Sequence, residues 1–334
     1  MRMYKFTTRK RCSSTDSKLY FRKQRYGFLK YLCGMEEIKQ NSLHAWILAA
    51  RPKTLAGAVT PVLVGTALAY ADGQFHWLPI LVCFLFAGLM QIAANFINDL
   101  FDFLKGTDRE DRLGPERACA QGWISPTAMK RGIIFTVTIA CLIGCILLFY
   151  AGWQLILVGL LCVVFAFFYT TGPYPLSYNG WGDILVILFF GFIPVGGTYY
   201  VQALTWTPDV TIASLICGLI VDTLLVVNNY RDREADAQSG KRTVVVRFGE
   251  PFGKYLYLIS GVIAAMLSLW LLSETLIPAI ATAAIYLALH ITTWRRMVKI
   301  RSGKKLNSIL GETSRNMLIM GILLSLSLIT GSEL

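Results

Sequence analysis

Histidine is almost absent from this chain: its 334 residues hold three, His44, His76 and His290. His76 falls in an outer connection and the other two near helix ends. None is paired with a motif nucleophile, so the sequence offers no Ser–His or Cys–His pair of the kind covalent catalysis needs. Charge is scarce too, at 16%, against 55% hydrophobic residues and a mean hydropathy of +0.53. That excess of apolar sequence over what a soluble core needs excludes an ordinary globular domain and points to a polytopic membrane protein. The eight cysteines supply no framework either. Five of them (Cys83, Cys141, Cys145, Cys162 and Cys217) sit inside apolar runs, where Cys packs as a small hydrophobe. Cys141 and Cys145 share a helix face, but no His or third Cys is near enough to complete a metal site.

What the chain has in quantity is apolar runs of membrane length. A span takes roughly 20 such residues, which predicts about nine helices, near 55–72, 79–98, 132–151, 154–170, 184–203, 211–228, 255–272, 276–293 and 315–331. The runs are continuous rather than alternating, so the fold class is an all-α membrane protein and not a barrel. Basic residues are missing from every second connection. From Lys105 to the C-terminus each Lys and Arg falls in 105–131, 231–254 or 295–315, and the connections around Asp72, Asp209 and Glu274 carry none. An odd number of spans with a cytoplasmic N-terminus puts every basic stretch on the cytoplasmic face.

The net charge of +12 does not indicate nucleic-acid binding, because residues 1–34 hold ten Lys or Arg against one acid, Asp16. That segment lacks the apolar run of a signal peptide. It suits a mitochondrial transit peptide or a tail drawn to anionic lipid, but Met35 is the preferred start, since Met-Glu-Glu-Ile-Lys leads directly to the first membrane approach at Trp46. Residues 1–45 are therefore read as a basic N-terminal extension, dispensable over 1–34, and 46–334 as one polytopic domain.

Two acidic motifs stand at the cytoplasmic ends of the second and sixth runs. On a helix Asn95, Asp99 and Asp102 share one face, at i, i+4 and i+7, with Asn98 and Asp108 able to join as the helix ends at Gly106. Asn229, Asp232 and Asp236 make a second stripe, and Asp222 extends it about two turns deeper. Each motif opens a long charged loop, 99–131 or 229–254. Recurrence after four further helices suggests two four-helix modules plus a ninth helix, facing one another across a central cavity. Two stripes of hard oxygen donors suit Mg²⁺, which completes its shell with waters and phosphate. Arg109, Arg112 and Arg117 follow the first motif, and Arg231, Arg233, Lys241 and Arg242 accompany the second, where a diphosphate needs positive charge. Topology alone also places Lys and Arg there. An allylic diphosphate that ionises in such a site needs electrostatic stabilisation and shielding from water. Phe96, Phe101, Phe165, Phe168 and Tyr169 are candidate walls, with ordinary packing the competing explanation for each.

Five stretches together resemble the UbiA superfamily of intramembrane prenyltransferases: A-A-R-P-K-T-L at 49–55, N-D-L-F-D-F-L-K-G-T-D at 98–108, R-L-G-P-E-R at 112–117, Y-T-T-G-P-Y-P-L-S-Y-N-G-W-G-D at 169–183 and N-N-Y-R-D-R-E-A-D-A-Q-S-G-K-R-T at 228–243. Within it the chain is most similar to the branch that prenylates 1,4-dihydroxy-2-naphthoate in menaquinone synthesis. The resemblance implies a bacterial inner-membrane enzyme that uses Mg²⁺ and polyprenyl diphosphate, the prenyl group replacing the acceptor's carboxyl. It implies Asp99, Asp102, Asp232 and Asp236 as the catalytic core of the metal–diphosphate site, supported by Asn95 and Asp108. Arg112, Arg117, Tyr169, Arg231, Lys241 and Arg242 are then expected at the substrates. The superfamily's N-D-x-x-D-x-x-x-D pattern has Gly106 where its last Asp falls, with Asp108 as the substitute. Tyr169 is followed by Pro173 where the 4-hydroxybenzoate branch has Lys, which favours the bicyclic acceptor. Tyr169, Tyr174 and Lys53 are the candidates for holding it. Another aromatic acceptor is the alternative within the superfamily. Outside it the rival is a transporter, because intramembrane carboxylates such as Asp222 also mark ion pathways.

Overall fold

The computed structural model describes residues 38–106 and 112–332, and every regular element among them is helical. The chain enters through α1 (Leu43–Ala50), begun by Ser42, whose Oγ accepts the Ala45 N–H at 3.3 Å. Arg51 is left-handed (φ 52°), and after the turn Pro52–Thr54 the chain continues into α2 (Ala56–Ala71), bent by 51° from the preceding segment. α3 (Trp77–Leu104) and α4 (Pro126–Ala151) follow. Ser125 caps α4 and Pro126 takes its first position, where a missing N–H leaves no bond unmade. Next come α5 (Gln154–Thr170), α6 (Gly182–Ala203), α7 (Pro208–Gln238), α8 (Val244–Leu271), α9 (Leu276–Ile300) and α10 (Leu306–Ser332).

All nine expected runs are helices, α2 to α10. Seven of them, α3, α4 and α6 to α10, are long and apolar enough to cross a membrane, and the bent pair ending in α2 makes an eighth. α5 is apolar but has 17 residues. Among the described residues the spans by length and composition therefore number seven to eight, fewer than the nine expected, because α5 is short and α2 reaches membrane length only together with the bent segment before it.

The acidic motifs do not open loops as expected. α3 runs on to Leu104 and α7 to Gln238, carrying both stripes as helix. The apolar criterion ends at Asn98, but Leu100 is buried and Phe101 and Phe103 pack on the neighbouring core, so the helix continues. Between α7 and α8 only 239–243 is non-helical, because Thr243 caps α8 by accepting the Val246 N–H. α8 then kinks at Gly249 (φ 85°), a conformation that only glycine adopts without strain.

α3 packs on α2, α4 and α5, and α6 to α9 pack each on the next. α10 is more than an appended helix. It lies between α9 and α2 and also touches α7, closing the ring. α6 and α7 meet backbone to backbone: a Cβ at Gly191 would stand 2.3 Å from the Ser214 carbonyl oxygen and 2.9 Å from Gly218 Cα. Gly182 lies against Leu225 on α7. The connection 171–181 is pinned to the start of α8: the Arg242 N–H donates to the Tyr178 carbonyl and Arg247 Nη2 to the Asn179 carbonyl, both at 2.7 Å. α6 is π-helical over Leu188–Gly196, around Pro194, a departure frequent near functional sites.

Candidate active site

The ring encloses a cavity of about 740 Å³. On α3 its lining runs from Asp102 to Cys83, which is roughly 28 Å of helix. Arg112, Arg117, Asp232, Asp236 and Lys241 join it at the Asp102 end, and Phe86, Leu147, Leu155 and Val201 line its apolar length.

At the polar end Asp102 is buried and meets two partners. Arg117 Nη2 stands 2.9 Å from Oδ2, and the Tyr178 hydroxyl donates to Oδ1 at 2.9 Å. Tyr178 comes from the connection 171–181. Two ammonium groups make cation–π contacts with its ring, Lys105 at 4.5 Å and Lys241 at 4.6 Å from the centroid. Burial pushes the Lys105 amine below the ordinary lysine range, opposed by Asp102 and reinforced by Lys241. Asn98, one turn before Asp102, lines the cavity and accepts the Thr170 hydroxyl.

Asp99 departs from expectation. It is fully buried, does not line the cavity, and accepts the N–H groups of Ala118 (2.9 Å, Oδ2) and Cys119 (2.9 Å, Oδ1). One residue from Asn98 is about 100° around the helix, so when Asn98 and Asp102 face the cavity Asp99 faces the segment 112–122. It anchors the segment that carries Arg112 and Arg117. Asn95 lines the cavity, but its amide N–H groups go to the Ala50 carbonyl and the Thr54 hydroxyl, both at 2.9 Å. It holds the bend between α1 and α2.

In the second stripe Asp232 accepts a fork from Arg231, Nε at 2.8 Å and Nη2 at 2.6 Å. Arg231 is buried and also donates to Asn307 Oδ1 at 2.8 Å, while Asn307 donates to the Leu113 carbonyl at 2.8 Å. A Cβ at Gly114 would stand 2.7 Å from Arg231 Nη2, so the segment after α3 rests directly on this guanidinium. Asp236 faces Lys241, whose Nζ is 3.8 Å from Oδ1.

Thus Asp102, Asp232, Asp236, Asn95, Arg112, Arg117, Tyr169, Arg231 and Lys241 all line one cavity. Arg242 does not: its side chain is exposed, and its backbone N–H donates to the Tyr178 carbonyl at 2.7 Å. Asp108 and Arg109 lie outside the described residues. Of the candidate walls Phe165 and Tyr169 line the cavity, whereas Phe96 packs on Trp46, Phe101 on Phe167, and Phe168 is exposed. Tyr174 and Lys53 are exposed and off the lining. Lys105, Tyr178 and Asp183 stand in or beside the site without having been singled out. Asp183 had a legible signal, an acid opening an apolar run; Tyr178 had none, since only the docking of its connection on Arg242 brings it to Asp102.

The donor set at the polar end is carboxylate and amide oxygen, the chemistry Mg²⁺ takes. Among the described residues no three carboxyl, thiol or imidazole groups converge on one point. That fits Mg²⁺ better than a caged ion, because Mg²⁺ binds through one or two carboxylates plus substrate phosphate. Each carboxylate meanwhile has a cation beside it: Arg117 at Asp102, Arg231 at Asp232 and Lys241 at Asp236.

A model of the UbiA prenyltransferase family matches residues 58–320. The chain belongs to that family. This UbiA-family protein is thus a multi-pass integral membrane protein. It is 41% identical over 222 residues (65% of this chain, 72% of the relative) to the 1,4-dihydroxy-2-naphthoate octaprenyltransferase of Escherichia coli. To the Haemophilus influenzae protein of the same name it is 35% identical over 308 residues, 86% of this chain and 97% of the relative. Its fold matches that of a UbiA homolog from Archaeoglobus fulgidus bound to GPP and Mg²⁺, with a TM-score of 0.62 at 15% identity over 86% of this chain and 99% of the other. Neither family nor relatives support the transporter alternative.

Proposed function

We propose that this protein transfers a polyprenyl group from polyprenyl diphosphate to 1,4-dihydroxy-2-naphthoate, releasing CO₂ and diphosphate and giving demethylmenaquinol, the reduced form of demethylmenaquinone. The observation that carries this reading is a single cavity joining an oxygen-rich, arginine-lined end to an apolar channel. Two relatives named for the same reaction support it, one matching over 86% of this chain.

In this assignment Asp102, Asp232 and Asp236, with Asn98, would hold Mg²⁺, supported by Asn95 and Asp108. The ion would neutralise the diphosphate and make it a better leaving group from the allylic carbon. Arg112, Arg117, Arg231 and Lys241 take phosphate oxygens, and three of these cations stand beside the carboxylates that would bind the metal. Tyr178, in cation–π contact with Lys105 and Lys241, stands at the polar end, and the apolar channel takes the prenyl chain and keeps water from the reacting carbon. Absence of basic residues from alternate connections supports a cytoplasmic N-terminus and a polar end facing the cytoplasm, in a bacterial inner membrane.

Purified protein should transfer prenyl groups to 1,4-dihydroxy-2-naphthoate in a Mg²⁺-dependent assay and leave 4-hydroxybenzoate untouched. Product from the benzoate alone would overturn the acceptor, and no product from either, in folded protein, would overturn the reaction.

A further inference from the structure

One pair of acids remains outside the diphosphate site. Asp183 stands in the first turn of α6 and lines the cavity. Asp222, on α7, is 2% exposed, and Gly182, next to Asp183, packs on Leu225, about one turn from Asp222. Among the described residues Oδ1 of each acid is buried without a hydrogen-bond partner, and neither acid has an ion pair of the kind that meets Asp102, Asp232 and Asp236. Asp222 is ten residues from Asp232, so the pair lies roughly 15 Å deeper along α7. The Tyr169 hydroxyl is packed beside Gly182 as well.

Two neighbouring carboxyl groups, one facing a cavity and the other sealed behind it, can share a proton without a charge having to leave the protein. We propose that Asp183 takes the proton of the acceptor's ring hydroxyl and later returns it, with Asp222 as the positioning carboxyl behind it. The assignment rests on the prenyl-transfer reading above. The chemistry closes on itself. Transfer of the hydroxyl proton to Asp183 sends electron density to the ring carbon that bears the carboxylate. That carbon bonds the allylic carbon while the allylic C–O bond breaks and its electron pair leaves with diphosphate. The ring is then a ketone with a carboxylate on the adjacent carbon. Loss of CO₂ leaves the C–C bonding pair in the ring as a naphtholate, which recovers its proton from Asp183. No net proton is consumed, so one group suffices as base and then as acid. Tyr169, with its hydroxyl beside Gly182, lines the same cavity as Phe165 and Phe189, where the acceptor ring would be steered.

The test compares wild type, Asp183→Asn, Asp183→Glu and Asp222→Asn in prenyl transfer to 1,4-dihydroxy-2-naphthoate across pH, alongside cleavage of polyprenyl diphosphate without acceptor. Asp183→Asn should lower kcat for transfer by about 10²–10⁴-fold, leaving acceptor-free cleavage and the KM for polyprenyl diphosphate unchanged. Its residual rate should climb with pH as the free acceptor ionises, a dependence that a merely structural defect would not produce. Asp183→Glu should recover part of the loss, and Asp222→Asn should lose less while moving the same pH limb. Acceptor-free cleavage also reports folding; if Asp183→Asn lacks it, Asp183→Glu and Asp222→Asn decide, and wild-type pH profiles in both overturn the assignment. Wild-type kcat and pH profile in Asp183→Asn would overturn it alone. Equal loss of transfer and acceptor-free cleavage in both Asp183 variants would move Asp183 to the diphosphate site. A wild type inert toward the naphthoate would overturn the reading and the assignment together.

Discussion

Asp99 turns both carboxylate oxygens toward backbone N–H groups, whereas Asp102, less than one turn further along α3, meets a guanidinium and a phenol beside the cavity. A helix face deduced from i, i+4, i+7 spacing groups the two, because spacing does not say which of two adjacent stripes faces inward. The side chains should respond differently to the same change. Asp99→Asn puts an N–H donor against an N–H of Ala118 or Cys119 and should destabilise the fold by about 2 kcal/mol, seen as a lower thermal midpoint. Its Mg²⁺ concentration for half-maximal activity should stay put. Asp102→Asn should leave the fold intact and abolish turnover at saturating Mg²⁺. If the Mg²⁺ requirement shifts more for Asp99→Asn than for Asp102→Asn, Asp99 belongs with the ligands after all.

Helices were legible where apolar sequence lasted and illegible where it stopped. The runs expected at 79–98 and 211–228 became α3 (Trp77–Leu104) and α7 (Pro208–Gln238), because a helix continues as long as one face still finds packing, and hydropathy ignores that. α6 was placed almost correctly along the sequence, but its π-helical stretch and its close approach to α7 were not legible there. That contact predicts a contrast within one helix. Gly191→Ala drives a Cβ to 2.3 Å from the Ser214 carbonyl oxygen and should cost about 1–3 kcal/mol as overpacking. Gly197→Ala meets nothing within 4 Å and should be neutral or raise stability by about 0.5–1 kcal/mol. Thermal denaturation of the two variants side by side distinguishes them, and equal midpoints would mean that α6 and α7 do not touch there.

Across the whole molecule the ring has two unlike faces. Connections between α2 and α3, α4 and α5, α6 and α7, and α8 and α9 contain no Lys or Arg, and on the other face 105–125, 239–243 and 301–305 carry them while 171–181 has none. Trypsin added to sealed, uniformly oriented vesicles should therefore cut from the face bearing 239–243 and 301–305 and leave residues 53–332 whole from the opposite face. Cleavage from both faces would overturn the topology. The apolar runs, the one-sided distribution of basic residues and the stock of acids and bases were determined by the sequence alone, because burying apolar side chains in lipid and keeping charge on one side are local properties of each run. Which acids share the cavity was decided only by the tertiary structure. Asp99 and Asp102 differ by a fraction of a helical turn, Tyr178 arrives on a connection pinned to the start of α8, and Asp183 comes near Asp222, 39 residues on, through the packing of α6 on α7. Such meetings depend on how helices rotate and how deeply they dock, and packing between elements sets both.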